Sequence, residues 1–147
     1  MKPSLTIGID PDSAAHGVAF FNEQGLFELK NLTLMELMER LANLKQTHDI
    51  TVHIENVDAN KGCWNNVRGS KAAFGKAASD MGKCRQAYIE LTRMFDHLGV
   101  PYVNHKISKS WKKGNDKKLF ELATGWTGRS NEDTRSAAYF GYLGWKK

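Results

Sequence analysis

Two carboxylates stand where strand patterns end. Leu5-Thr6-Ile7-Gly8-Ile9-Asp10 and Ile50-Thr51-Val52-His53-Ile54-Glu55 both alternate, and each acid has apolar residues one, three and five positions before it. If the two strands are parallel neighbours about 4.8 Å apart, both carboxylates project from the same face and the same end of the sheet. Two acids so placed make a divalent-cation site: hard ions such as Mg²⁺ prefer carboxylate oxygens, and sites in open α/β sheets form beyond the carboxyl ends of strands. Glu132 and Asp133 open the last helical pattern and add a further ligand if that helix packs across the first and fourth strands. Each acid also has an ordinary use. Asp10 before Pro11 suits a turn, Asp133 three residues after Ser130 completes a capping box, and acids favour helix N-termini. Glu55 has no such use, because a carboxylate inside a strand pattern is depleted unless it has a partner.

The elements that must position these acids follow from periodicity. Strands are predicted over Leu5–Asp10, Gly17–Asn22 and Leu26–Lys30, joined by short loops into an antiparallel meander. From Thr33 to Lys45, Leu34, Leu37, Met38, Leu41 and Leu44 recur at helical spacing, and Thr33 with Glu36 fits a capping box. A strand over residues 50–57 then returns parallel to an earlier one through a right-handed crossover. Residues 58–75, rich in Gly, Asn and Lys, read as a loop; a long helix runs from about Lys76 to His97, with Gly99 where a C-cap is expected. A short strand at 101–105, a basic turn at 106–118, a helix at 119–124 and a last helix from Ser130 or Asn131 complete the order β-β-β-α-β-α-β-α. No repeat or linker divides the chain, so residues 1–147 are expected to form one α/β domain.

Composition narrows the function classes. The chain has 147 residues, long enough to bury about two thirds of its unfolded surface. Its net charge of +5 is unevenly spread: residues 1–60 carry 4 basic and 9 acidic residues, residues 61–147 carry 17 and 7. Such asymmetry points to a polyanion for the second half. Cys63 and Cys84 form no Cys-x-x-Cys pair and have no metal-ligand spacing with the five histidines, which argues against zinc and for reduced thiols. No apolar run reaches a membrane span, and the N-terminus enters a strand pattern at once. A soluble, cytoplasmic protein without a targeting peptide is expected.

Several of these segments, in order, carry a family resemblance. Ile7-Gly8-Ile9-Asp10-Pro11-Asp12-Ser13 with Gly17-Val18-Ala19, then Ile54-Glu55-Asn56-Val57, Ser79-Asp80-Met81-Gly82, Ser110-Trp111-Lys112-Lys113 with Lys117-Lys118, and Glu132-Asp133-Thr134-Arg135-Ser136-Ala137-Ala138 resemble the RuvC-like Holliday-junction resolvases of the ribonuclease H-like superfamily. The short bacteriophage members are the most similar. The resemblance spans nearly the whole chain and implies a ribonuclease H-like fold: a five-stranded mixed sheet, three antiparallel strands then two parallel, flanked by helices. It also implies that Asp10, Glu55 and an acid of the final helix bind two Mg²⁺ or Mn²⁺ ions for phosphodiester hydrolysis. Two positions depart from the family pattern. Asp12 replaces a usual glycine, and Ser136 stands where a second helix acid is expected, so Asp133 is the first choice and Glu132 the second.

The basic half fits a nucleic-acid partner. Lys61, Arg68, Lys71 and Lys76, and then six lysines within 106–118 against Asp116 alone, follow the fourth and fifth strands at the edge of the proposed acids. Lys61, Trp64, Arg68, Lys71, Lys76, Lys112, Lys113, Lys117 and Lys118 are the expected DNA contacts, with Trp64 or Phe74 stacking on bases or packing in the core, and Trp111 packing on the domain. The resemblance further implies a contact of Lys117 or Lys118 with the scissile phosphate. The expected function is metal-dependent cleavage of branched DNA by a homodimer, since symmetric nicking of a four-way junction needs two sites related by a two-fold axis. The helix from Lys76 is the expected dimer surface. The alternatives are a nuclease of the same fold acting on an RNA–DNA hybrid, and a DNA-binding module without catalysis.

Overall fold

The computed structural model describes residues 1–57 and 71–146, with residues 72–74 in backbone only. Three strands, β1 (Ser4–Asp10), β2 (His16–Asn22) and β3 (Gly25–Leu32), form the meander, and α1 (Leu34–Leu44) leads to β4 (Asp49–Glu55). The long α2 (Lys71–Leu98), β5 (Tyr102–His105), a 3-10 turn (Gly114–Asp116), α3 (Lys117–Thr124) and α4 (Glu132–Trp145) follow. The sheet order is β3-β2-β1-β4-β5. β1 pairs antiparallel with β2 and parallel with β4, and β4 pairs parallel with β5. This is the mixed five-stranded sheet, three antiparallel strands then two parallel, that the sequence led us to expect.

Strict alternation decides which residues meet which layer. Leu5, Ile7, Ile9, Val52 and Ile54 point to one face and bury against Leu37 and Leu41 of α1 and Leu91 and Phe95 of α2. Thr6, Gly8, Asp10, His53 and Glu55 therefore point to the other face, which α4 covers. There a second cluster joins Ala19 and Phe21 to Phe120, Ala137 and Ala138. α1 opens with the expected capping box, Thr33 Oγ1 accepting from Glu36 N–H while Glu36 accepts from Thr33 N–H.

Three local expectations are corrected. Residues 71–75 belong to α2 and not to a loop, so Lys71 and Lys76 are exposed residues of a 28-residue helix. Lys117 and Lys118 open α3 and are not in the preceding turn. At α4 the cap is Asn131, whose side chain accepts from Thr134 N–H while Thr134 Oγ1 accepts from Asn131 N–H. Asp133 consequently caps nothing and its carboxylate is left for other partners. Lys61, Trp64 and Arg68 lie outside the described residues, as does the Phe74 side chain. No described helix is long and apolar enough to cross a membrane.

Candidate active site

Register places the strand-end acids side by side. Ile9 is the partner of Ile54 in the parallel β1–β4 ladder, so Asp10 and Glu55 are the next pair along. Both are buried, Asp10 to 3% exposure and Glu55 to 7%. Withdrawal from water penalises the charged form of an acid, and a like charge adds to the penalty. Burial, with the Asp10 carboxylate second, pushes the Glu55 carboxyl up to about 7. Asp10 is also raised, by burial against the opposing pull of Lys112. The amide N–H of Ser108, in the segment after β5, donates to Glu55 Oε2 at 3.3 Å.

α4 brings the third acid because glycines let it approach the sheet closely. A Cβ on Gly17, the partner of Asp10 in the β1–β2 ladder, would fall 2.2 Å from the Asp133 carbonyl oxygen, and one on Gly8 would fall 2.0 Å from that of Ala137. The first turn of α4 thus rests on β1 and β2 with half-buried Asp133 near Asp10. Burial raises the Asp133 carboxyl as well, and neighbouring Asp12 adds to the effect. Glu132 is exposed and lines, with Glu55, Lys109, Lys112 and Lys113, a cleft of about 360 Å³ beside the site. The two adjacent acids of α4 thus face different neighbours: Asp133 meets Asp10 and Asp12, Glu132 the cleft that Glu55 lines.

Lys112 stands at the centre of the group. Its Nζ lies 3.3 Å from Asp10 Oδ2 and 3.8 Å from Asp133 Oδ1. Burial pulls the ammonium down, but the surrounding carboxylates, Asp10 foremost, more than compensate and keep it protonated. The backbone around it is clamped. Arg135, 5% exposed on α4, donates from Nε to the Trp111 carbonyl at 2.9 Å, from Nη2 to the Lys112 carbonyl at 2.8 Å and from Nη1 to Ser130 Oγ at 3.2 Å. Trp111 has φ 64°, a left-handed backbone that a bulky residue adopts only when its surroundings impose it. Its ring packs edge-on against Phe120 and Tyr139 and tilted against Tyr142, with centroids 5.4 to 5.6 Å away.

Among the described residues no three acid, histidine or cysteine side chains converge closely enough, as they are placed, to hold a metal ion. The donor set nevertheless fits a hard divalent cation. Asp10, Glu55 and Asp133 surround the Lys112 ammonium, with Asp12 beside Asp133, so carboxylates outnumber the ammonium in a partly buried site, and such oxygens are the ligands Mg²⁺ and Mn²⁺ prefer. The buried Ser136 hydroxyl, 1% exposed, lies beside Asp10 without completing a hydrogen bond and is a further oxygen within the pocket.

Of the residues singled out in the sequence, Asp10, Glu55, Asp133 and Lys112 come together, and Glu132 and Lys113 line the adjoining cleft. Lys71, Lys76, Lys117 and Lys118 are exposed on α2 and α3. Sequence reasoning grouped Lys112 with the DNA-contacting lysines and missed its pairing with Asp10. It also missed Arg135 and Gly17. The one available signal for these was an arginine on an otherwise small and apolar stretch of α4, a pattern that calls for buried partners.

No protein-family model and no curated protein matches the sequence. Among solved structures, the chain is similar to Thermus thermophilus RuvC in complex with a Holliday junction substrate, at a TM-score of 0.55 and 13% identity, covering 94% of this chain and 90% of that one. It is also similar to a second Thermus thermophilus RuvC structure, at a TM-score of 0.51 and 12% identity, over 93% of this chain and 90% of that one. The likeness at this identity is one of fold: the chain folds as a ribonuclease H-like mixed sheet of the RuvC kind, with Asp10 and Glu55 at the carboxyl ends of its two central strands.

Proposed function

We propose that this protein is a metal-dependent endonuclease that cleaves branched DNA, resolving four-way junctions by paired nicks. The observation that carries the reading is the juxtaposition of two buried carboxylates, Asp10 and Glu55, at the end of the parallel β1–β4 pair, where burial and mutual repulsion leave charge that a cation would neutralise. Local structure does not account for Glu55, which ends a strand, or for Asp133, since Asn131 and not an acid caps α4. Asp10, Glu55 and Asp133 would hold the metal, with Glu132 the alternative from α4. Bound there, two Mg²⁺ or Mn²⁺ ions would supply Lewis-acid stabilisation of charge developing on the scissile phosphate and would lower the pKa of a bound water.

The protein's own groups have separable tasks in this reading. Glu55, whose carboxyl burial and then Asp10 push up to about 7 in the metal-free protein, is a ligand whose charged form a bound cation would favour. Lys109 and Lys113, on the cleft beside Glu55, attract and orient the phosphate backbone. Lys71 and Lys76 on α2 and Lys117 and Lys118 on α3 are proposed as further contacts to the backbone phosphates, and Lys61, Trp64 and Arg68 remain proposed DNA contacts on sequence grounds. The likeness to a RuvC structure solved with a Holliday junction substrate supports a branched substrate. A homodimer acting in the cytoplasm, that of a bacterial host if the chain is phage-encoded, with the whole chain serving as one nuclease domain, completes the proposal. The exposed part of α2 beyond Lys76, including Ser79, Asp80 and Lys83, is the proposed dimer face.

Comparing Mg²⁺-dependent cleavage of a synthetic four-way junction, a linear duplex and an RNA–DNA hybrid tests the assignment. Paired nicks confined to the junction are expected. Preferential cutting of the hybrid would move the chain to a different nuclease class, and binding without cutting of any substrate would leave a DNA-binding module.

A further inference from the structure

The position of Lys112 carries a consequence for how a metal enters, and it rests on the reading of the acids as a cation site. Its ammonium is shared between Asp10 Oδ2, at 3.3 Å, and Asp133 Oδ1, at 3.8 Å, the two acids contributed by β1 and α4. A divalent ion bound by these carboxylates and the ammonium cannot occupy the same place, since both would sit against the same oxygens and like charges so close repel. One of them has to leave.

The geometry also says which part moves. The Lys112 backbone is held by the buried Arg135 guanidinium through the Trp111 and Lys112 carbonyls, and Trp111 is locked among Phe120, Tyr139 and Tyr142. The side chain is freer: it is 35% exposed and borders the cleft that Lys109 and Lys113 line. A lysine stem has four rotatable carbons, so its head can swing into that cleft without disturbing the clamp.

We propose that Lys112 is a built-in counter-cation that keeps the Asp10–Asp133 carboxylates neutralised before metal arrives, and that divalent-ion binding ejects its ammonium into the Lys109–Lys113 cleft, where the backbone phosphates of the substrate meet it. Metal loading and the completion of the phosphate-binding surface are then one event. Lys112 acts here as a positioning residue of the metal site, exchanging one electrostatic partner for another with no covalent step.

The test is calorimetric titration of the full chain, without DNA and at pH 8, with Mn²⁺ or Mg²⁺ alone, for wild type, Lys112→Gln and Lys112→Arg. Removing the competing charge is expected to tighten metal binding about tenfold in Lys112→Gln, within the range over which ligands sharing a site couple, whereas Lys112→Arg keeps the weak wild-type affinity. A second readout uses the wild-type chain only. Acetylation of Lys112 by a water-soluble amine reagent, followed by mass spectrometry, is expected to rise several-fold on adding Mn²⁺ while that of exposed Lys118 stays level. Equal Mn²⁺ affinity in wild type and Lys112→Gln, or Lys112 reactivity indifferent to Mn²⁺, overturns the proposal; if wild type still nicks junctions, the nuclease reading survives it. Absence of both metal binding and nicking in wild type overturns the two together.

Discussion

Replacing Glu55 with glutamine is expected to make the metal-free protein more stable at pH 8, although it removes a residue of the proposed active site. A carboxyl of this type titrates near 4.5 when free, and in the folded chain it titrates at about 7, chiefly through burial and then through Asp10. Between those two values the folded state keeps a proton that the unfolded state has released, so stability falls as pH rises through the window. Above pH 7 the accumulated cost is about 3 kcal/mol. Glutamine keeps the shape and can still accept from the Ser108 N–H, now bonded to Glu55 Oε2 at 3.3 Å, but carries no charge to bury. At about 2–4 °C per kcal/mol for a chain of this size, the melting temperature rises by up to about 10 °C. Thermal and urea unfolding of both proteins in EDTA, at pH 4.5 and pH 8, measures this: the gap nearly closes at pH 4.5 and opens at pH 8. Adding Mg²⁺ at pH 8 then stabilises wild type more than the variant. Equal stability at pH 8, or a gap that does not change with pH, refutes the view of Glu55 as a carboxylate held at a cost for the sake of its chemistry.

Further perturbations probe the supports of the site. Gly17→Ala places a methyl 2.2 Å from the Asp133 carbonyl, and the resulting shift of the first turn of α4 is expected to lower nicking at least tenfold while gel-shift binding of a junction is retained. Arg135→Met removes three hydrogen bonds to the Trp111 and Lys112 carbonyls and Ser130 Oγ. A loss of about 3 kcal/mol in urea unfolding is expected, with faster hydrogen exchange over residues 106–113. Junction affinity is expected to fall with salt at a log–log slope of roughly −4 or steeper, and Lys113→Ala to make that slope shallower by about 1.

The parts of this fold that could be read in the sequence are those set by local periodicity. Alternation up to Asp10 and Glu55 made the strands visible, and with it the face on which both acids stand, because a strand's side-chain period admits no other arrangement once Ile7, Ile9, Val52 and Ile54 go to the core. Thr33 and Glu36 announced the start of α1 in the same local way. What escaped was set by contacts between distant residues or by backbone angles. Ser130 with Asp133 and Asn131 with Thr134 both have capping-box spacing; only the extended backbone of Asn131, at φ −132° and ψ −180°, selects the second. α2 begins at Lys71 although Gly75 and the Gly- and Asn-rich run before it speak against helix, and the short stretch Lys71-Ala72-Ala73-Phe74 carries no helical apolar period that would mark the start. The pairing of Lys112 with Asp10 joins residues 102 positions apart, and no spacing rule distinguishes Lys112 from the five other lysines within 106–118.

The central claim is that strand-end carboxylates perform metal-dependent phosphodiester hydrolysis on branched DNA, and one measurement addresses it directly. Nicking of a labelled four-way junction is followed with and without Mg²⁺ for wild type and Asp10→Asn, with junction binding recorded on the same preparations. Paired nicks by wild type only when Mg²⁺ is present, none detectable by Asp10→Asn, and unimpaired junction binding by both are expected. Full cleavage by Asp10→Asn, or Mg²⁺-independent cleavage by wild type, would contradict it.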